Sequence, residues 1–509
     1  MRKRKVSISI SFSFIGRKFV ANRRTNILYY DSNLHSDDNR YSVIPLFRVS
    51  AHLAGYSNRT SQTKGVISME VRTSWHYLAP DYVCTPQGLQ RDMLVAVDEN
   101  GRIASISPRS SDSITPDELP GVLLLPGFVN VHSHVFQRAL RGRTQHPSPS
   151  KDTFWSWRQA MYKVAARLDP DSLYEIALHT YKEMVAAGYT SVGEFHYVHH
   201  QPDGTPYADP NAMSHAVLQA GLEAGIRVVL LMTAYVRGSF NQPPDAEQRR
   251  FCDRSLDAFL RRVDDLRLEG YAVGIAPHSV RAVPELWFRE IASYCQQYRL
   301  PLHVHASEQV AEVEQCLAAY QCRPIELLER FGALGERTTV VHATHADPEE
   351  ATLLARYGCS VCVCPTTEGD LGDGIAPYAS LLAAKLPLAI GSDSNTRIDP
   401  IEELRWSEYL ARLRYQRRRI LISGEETMSP GSSLLRYGTH NGARALGIRA
   451  GTLTPGMDAD LVAIDLRHPS MLGWDEEHML DVLFFSASAA AVKQVWVHGE
   501  LAYALYRSV

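Results

Sequence analysis

From about Gly121 to about Gly447 the chain repeats one pattern, a short apolar run followed by a longer stretch with the spacing of an amphipathic helix. The runs are "VLLLPGFVNVH", "YTSVGEF", "IRVVLLMTA", "YAVGIAPH", "LPLHVHAS", "TTVVHAT", "CSVCVCP" and "LPLAIGSD". Short buried strands alternating with helices predict repeated βα units on a parallel sheet. Eight of them is the number that closes a (β/α)8 barrel. The two flanks read differently. "DMLVAVDENGRIASISP" alternates apolar and polar residues on both sides of Asn100-Gly101, a two-residue hairpin signal. "DADLVAIDL" and "VKQVWVHGELAYA" repeat the strand-turn-strand style near the C-terminus. The predicted architecture is therefore an α/β (β/α)8 TIM-like barrel over residues 123–447, with a small β-sandwich domain built from residues 69–122 and 448–509.

Residues 1–68 carry little periodicity. Their start is rich in Arg, Lys and Ser, with no acid before Asp31, a composition shared with organelle transit peptides. The reading preferred here is an extended or mis-called start, a disordered leader, with ordered sequence beginning at Met69.

Composition narrows the function. In 509 residues, 45% hydrophobic and 21% charged, there is material for more than one domain. A net charge of -3 gives no general attraction to nucleic acid or to an anionic membrane, so a small-molecule partner is expected. No apolar run approaches the ~18 to 20 residues of a spanning helix. Eight cysteines without a secreted-domain framework suggest reduced thiols in a cytoplasmic protein. Cys359, Cys362 and Cys364 in "GCSVCVCP" lack a second pair at zinc-knuckle spacing, and their alternation predicts a buried strand.

Candidate chemistry recurs at the strand ends. His132 and His134 follow the first run; Glu194, His196 and Tyr197 the second; His278 and Arg281 the fourth. His303, His305 and Glu308 mark the fifth, His342 and His345 the sixth, and Asp393 the eighth. In a barrel these ends share one face. The period of two in His132-x-His134 puts both rings on one side of a strand, within reach of one ion. With His305 and Asp393 they form a nitrogen-rich set suited to one zinc or iron(II), leaving a position for water. Such an ion lowers the pKa of that water. Glu308 could protonate a nitrogen leaving group, His342 could orient or stabilise the intermediate, and Asp393 could take the water proton.

The HxH pair, the histidines of runs five and six and the Asp of "GSDS" resemble the amidohydrolase superfamily, as do "THNGARALGI" and "AGTLTPGMDADLVAIDL". More narrowly, "HSHVFQRALRGRTQ", "FWSWRQAMYKV", "GEFHYVHH", "APHSVRAV", "HVHASEQ" and "CPTTEGDLGDG" are similar to its formimidoylglutamate deiminase branch. That resemblance implies one divalent metal, Zn2+ or Fe2+, on His132, His134, His305 and Asp393, and a catalytic pair of Glu308 and His342. It implies substrate contacts from Gln137, Tyr197, His278 and Arg281, with Arg158 a further candidate, and a homodimer. The implied reaction, a step of histidine degradation, converts N-formimidoyl-L-glutamate to N-formyl-L-glutamate and ammonia. One departure is the "EGD" at Glu368–Asp370, where that branch has Glu-Ala-Asn.

A substrate with two carboxylates and an amidine calls for guanidinium groups, which Arg158 and Arg281 could supply. The bland alternative for each is an ion pair, and for "FWSW" it is aromatic packing at the barrel rim. His199, His200 and His303 are expected to be structural. No lysine lies between Lys182 and Lys385, so a carbamate bridge from the fourth strand is excluded and a mononuclear site is favoured. The alternatives are an aminohydrolase of a purine, pyrimidine or triazine ring, cleavage of the same substrate to glutamate and formamide, and a non-catalytic scaffold. The scaffold reading predicts a missing ligand or acid–base residue, and none is missing.

Overall fold

The computed structural model describes residues 9–14, 17–22, 27–30, 75–109, 115–145, 154–422 and 429–505. The chain forms two units, residues 1–73 and 74–509. In the first, Ser9–Phe14, Arg17–Asn22 and Ile27–Tyr30 form an antiparallel sheet. The remainder of the expected leader lies outside the described residues.

In the second unit the apolar runs become the barrel: Phe128–Ser133 (β1), Tyr189–His196 (β2), Arg227–Ala234 (β3), Val273–Pro277 (β4), Leu302–Ala306 (β5), Thr338–His342 (β6), Ser360–Val363 (β7) and Leu388–Ile390 (β8). Each pairs in parallel with the next in chain order. Apart from the first two residues of β3 they are buried throughout, as strands covered on both faces must be. The β8–β1 seam is closed by the loop after β8. Asp393 N–H donates to His132 O at 2.9 Å, and His134 N–H donates to Asp393 O at 2.9 Å. Gly391 permits this approach, since a Cβ there would stand 2.8 Å from His132 O.

The run "VLLLPGFVNVH" is two strands. Asp117–Pro126 belongs to the small sheet, and the barrel begins at Phe128, later than the expected boundary at residue 123. Alternation explains the merger. Val122 and Leu124 enter the small domain's own core with Leu78, Val95, Leu461 and Trp496, while Leu123 and Leu125 face the barrel's core. A strand buried on both faces shows no polar break.

The small domain is one continuous mixed sheet of eight strands, its only parallel pair being His76–Thr85 beside Asp117–Pro126. The tail read as purely β also contains a helix, Met479–Ser486, which packs on the barrel's outer helices. Arg405 Nε donates to Phe484 O at 2.7 Å, and Asp481 Oδ1 accepts from Gly431 N–H at 2.7 Å. Among the described residues no helix is long and apolar enough to cross a membrane.

Candidate metal centre and active site

His132 and His134 leave β1 on the same side, as their spacing requires. Asp393 Oδ1 is 3.3 Å from Nε2 of each, and His305 Nε2 is 3.1 Å from His132 Nε2. Around one tetrahedral zinc with bonds of about 2.0–2.1 Å, ligand atoms stand roughly 3.3 Å apart. His132, His134 and Asp393 therefore fit one such ion, and His305 reaches it beside His132 while clustering with His132 and His342. His134 Nδ1 contacts Phe195 O at 2.8 Å and His305 Nδ1 contacts His278 O at 3.1 Å, so each ring donates backward and presents its Nε2 lone pair to the centre. Burial pushes His132 down to about 3. Burial alone would raise Asp393, but its bond to His132 and the charges of His132, His342 and His134 hold it well below the usual carboxylate range.

The acid–base candidates stand beside this set. His342 Nε2 is 3.7 Å from Glu308 Oε1 and 3.8 Å from Asp393 Oδ2. Burial raises Glu308 above an ordinary carboxyl group, with Asp393 adding to the effect and His342 opposing it. Burial would lower His342, but the carboxylates of Glu308, Glu368 and Asp393 more than reverse this. Five non-glycine residues at these strand ends have left-handed backbone, Ser307 (φ 56°), His342 (φ 71°), Ala343 (φ 50°), Asp393 (φ 46°) and Asn395 (φ 58°). Such strain persists where the surrounding structure fixes it, commonly at functional sites.

Glu368 was missed by sequence reasoning as a functional candidate. Fully buried, it places Oε1 3.3 Å from His342 Nδ1 and accepts Cys364 N–H at 2.9 Å. It thereby accepts from Nδ1–H, fixes the ring and leaves Nε2 facing Glu308. No periodicity announces it; the only signal was its place just beyond β7.

Beside the centre lies a cavity open to solvent. Its lining brings together all five residues expected at the substrate, Gln137, Arg158, Tyr197, His278 and Arg281, with Glu308, His342 and Asp393. Gln137 Nε2 donates to Tyr197 OH at 2.9 Å, and its buried Oε1 has no partner among the described residues. Arg158 is paired with no carboxylate among the described residues; its Nη2 donates to Tyr235 OH at 3.1 Å. Gln248 Nε2 holds that phenol at 2.8 Å. Arg281 is buried, and its Nε and Nη1 have no hydrogen-bond partner among the described residues. Phe154 and Trp157 of "FWSW" line the cavity with Met161 and Leu371, which the sequence did not single out.

Other strand-end histidines point elsewhere. His199 Nε2 meets Thr233 O at 2.8 Å, His303 Nε2 meets Ala445 O at 3.1 Å, and His200 Nε2 lies 3.4 Å from Asp253. His345 Nε2 meets Asp373 O at 2.9 Å.

Residues 123–502 match the amidohydrolase family. The chain belongs to that family. It is a hydrolase acting on carbon–nitrogen bonds other than peptide bonds. A formimidoylglutamate deiminase of Pseudomonas aeruginosa is 39% identical to this amidohydrolase over 421 residues, which are 81% of this chain and 91% of that one. An amidohydrolase structure from Brucella melitensis has a TM-score of 0.75 at 33% identity, covering 84% of this chain and 96% of its own. A zinc-bound adenosine deaminase from Xanthomonas campestris has a TM-score of 0.70 at 26% identity, covering 84% and 92%.

Proposed function

We propose that this amidohydrolase hydrolyses N-formimidoyl-L-glutamate to N-formyl-L-glutamate and ammonia, as a step of histidine degradation. The observation that carries this reading is the Arg281 guanidinium, buried against the cavity with two N–H groups unpaired among the described residues. Buried donors without acceptors are costly, and a substrate carboxylate gives this guanidinium an ionic partner at the cavity. Arg158, anchored through Tyr235, serves the second carboxylate. A neutral ring would leave Arg281 unsatisfied. The 39% identity to the Pseudomonas deiminase supports the same substrate.

His132, His134, His305 and Asp393 would hold one divalent ion, Zn2+ or Fe2+, which when bound supplies an acidified water as nucleophile near neutral pH. Gln137, Tyr197 and His278 orient the formimidoyl group. Asp393 takes a proton from the attacking water through Oδ2, the oxygen turned toward His342. His342 donates through Nε2–H to the attacking oxygen as the amidine carbon becomes tetrahedral. Glu308, whose pKa burial raises, gives its proton to the imino nitrogen. The new C–O bond forms; the proton taken by Asp393 then passes to the same nitrogen, the C–N bond breaks and ammonia leaves as the hydroxyl proton returns to Glu308, with the formyl product still on the arginines.

Purified protein loaded with zinc is expected to release ammonia from N-formimidoyl-L-glutamate and not from guanine or cytosine. Formamide and glutamate as products, or activity on a ring alone, would refute the assignment. We also propose a homodimer; Trp406, Tyr409 and Leu413 expose one apolar stripe along Pro400–Tyr415. Sedimentation equilibrium at the monomer mass would refute it.

A further inference from the structure

The two oxygens of Asp393 face different partners. Oδ1 stands 3.3 Å from both His132 and His134, whereas Oδ2 turns to His342 Nε2 at 3.8 Å. Near both His342 and Asp393 lies a group the mechanism does not use. Cys364 Sγ, a nitrogen of His342 and an oxygen of Asp393 lie within 4.8 Å of one another, and all three residues are buried. Room for the thiol depends on Gly391, whose hypothetical Cβ would stand 3.1 Å from Sγ. Because Glu368 occupies His342 Nδ1, the nitrogen of that ring left to take a cation, on giving up its proton, is Nε2, on the Asp393 side.

We propose that Cys364, His342 and Asp393 form a second, inhibitory site for a thiophilic divalent cation such as Cd2+ or excess Zn2+, with Asp393 bridging it to the first ion. Thiolate, imidazole and carboxylate together suit such ions. With a zinc–sulfur bond of about 2.3 Å and zinc–nitrogen near 2.0–2.1 Å, donors in one shell stand roughly 3.3–3.7 Å apart. The 3.8 Å between His342 Nε2 and Asp393 Oδ2 is close to this. The cation enters from the cavity, which His342 and Asp393 both line. Binding forms bonds to sulfur, nitrogen and oxygen and releases the thiol proton of Cys364 and the Nε2 proton of His342 to solvent, without redox change. It ties up His342 Nε2, so the ring no longer serves the reacting oxygen. The first-site donors are nitrogen and oxygen only, so sulfur chemistry distinguishes the second site from the first.

The inference rests on the metal-ligand assignment above but not on the identity of the substrate. The experiment is a Cd2+ titration of the full chain carrying one equivalent of zinc, followed by ultraviolet thiolate-to-cadmium absorbance and by bound-metal analysis. Cys364→Ser is the test variant and Cys359→Ser, another buried cysteine of the same run, the control. Expected are a thiolate band saturating with one added equivalent in wild type and in Cys359→Ser, no band in Cys364→Ser, and a parallel fall in ammonia release of more than tenfold only where the band forms. A band that persists in Cys364→Ser, or its absence from wild type, would overturn the site. Equal inhibition of all three proteins would overturn its inhibitory role. Cys364→Ala, checked by thermal melting, replaces the serine variant if that one fails to fold. Should the protein prove inactive on formimidoylglutamate, the absorbance and stoichiometry still decide the site.

Discussion

Arg281→Met separates a group kept for substrate from a group kept for the fold. In the free protein Arg281 is buried with Nε and Nη1 unpaired among the described residues, so methionine removes no hydrogen bond from those atoms. It relieves an incompletely satisfied buried charge, although Glu308 and Glu312 lose a cationic neighbour. The melting temperature should therefore hold or rise. Function should fall steeply. Two hydrogen bonds to a charged carboxylate at about 1.5–3 kcal/mol each, less the desolvation of the substrate, leave about 3–5 kcal/mol of lost binding. At 1.36 kcal/mol per decade that is roughly 160- to 5,000-fold in kcat/KM, carried mainly by KM. The assay is steady-state ammonia release beside a thermal melt of the same preparation. A variant that melts several degrees lower while keeping kcat/KM within about fivefold would show the guanidinium to be structural and refute the carboxylate-binding role.

Glu308→Gln should lose about 10²- to 10⁴-fold in kcat while keeping its full metal content, measured by ammonia release and elemental analysis. Glu368→Gln removes the charge from the bond that orients His342, so kcat should drop roughly 10- to 150-fold with KM little changed, from the ~1.5–3 kcal/mol of a charge-assisted bond. Removing metal with a chelator should lower the melting temperature, and zinc at 100 times its Kd should restore about 2.7 kcal/mol of stability; His132→Asn should show neither response. Burial would raise Asp253, but Arg262 and His200 more than offset this and depress its folded pKa. Its contribution to stability is thus complete above the unfolded value of 3.8 and disappears as pH falls through the lower folded value. Asp253→Asn should flatten that acid limb in denaturant titrations from pH 5 downward.

The parts of this protein legible in the sequence are those set by local periodicity. A spacing of two determined that His132 and His134 share one side of a strand, and eight apolar runs separated by helical stretches determined the barrel and the face on which their ends meet. What depends on partners far along the chain was not legible. The run around Val122–Val131 hid a domain boundary, because strand residues alternately serving two cores look like one apolar block. Closure of the β8–β1 seam by the backbone of Asp393, the seating of Glu368 on His342 Nδ1 and the approach of Cys364 join residues up to 261 positions apart (393 − 132). The unpaired state of Arg281 is likewise a property of its surroundings. Periodicity fixes the direction of a side chain relative to its own strand or helix; only the packing of those elements decides what it meets there and whether its charge and hydrogen bonds are left for a ligand to satisfy.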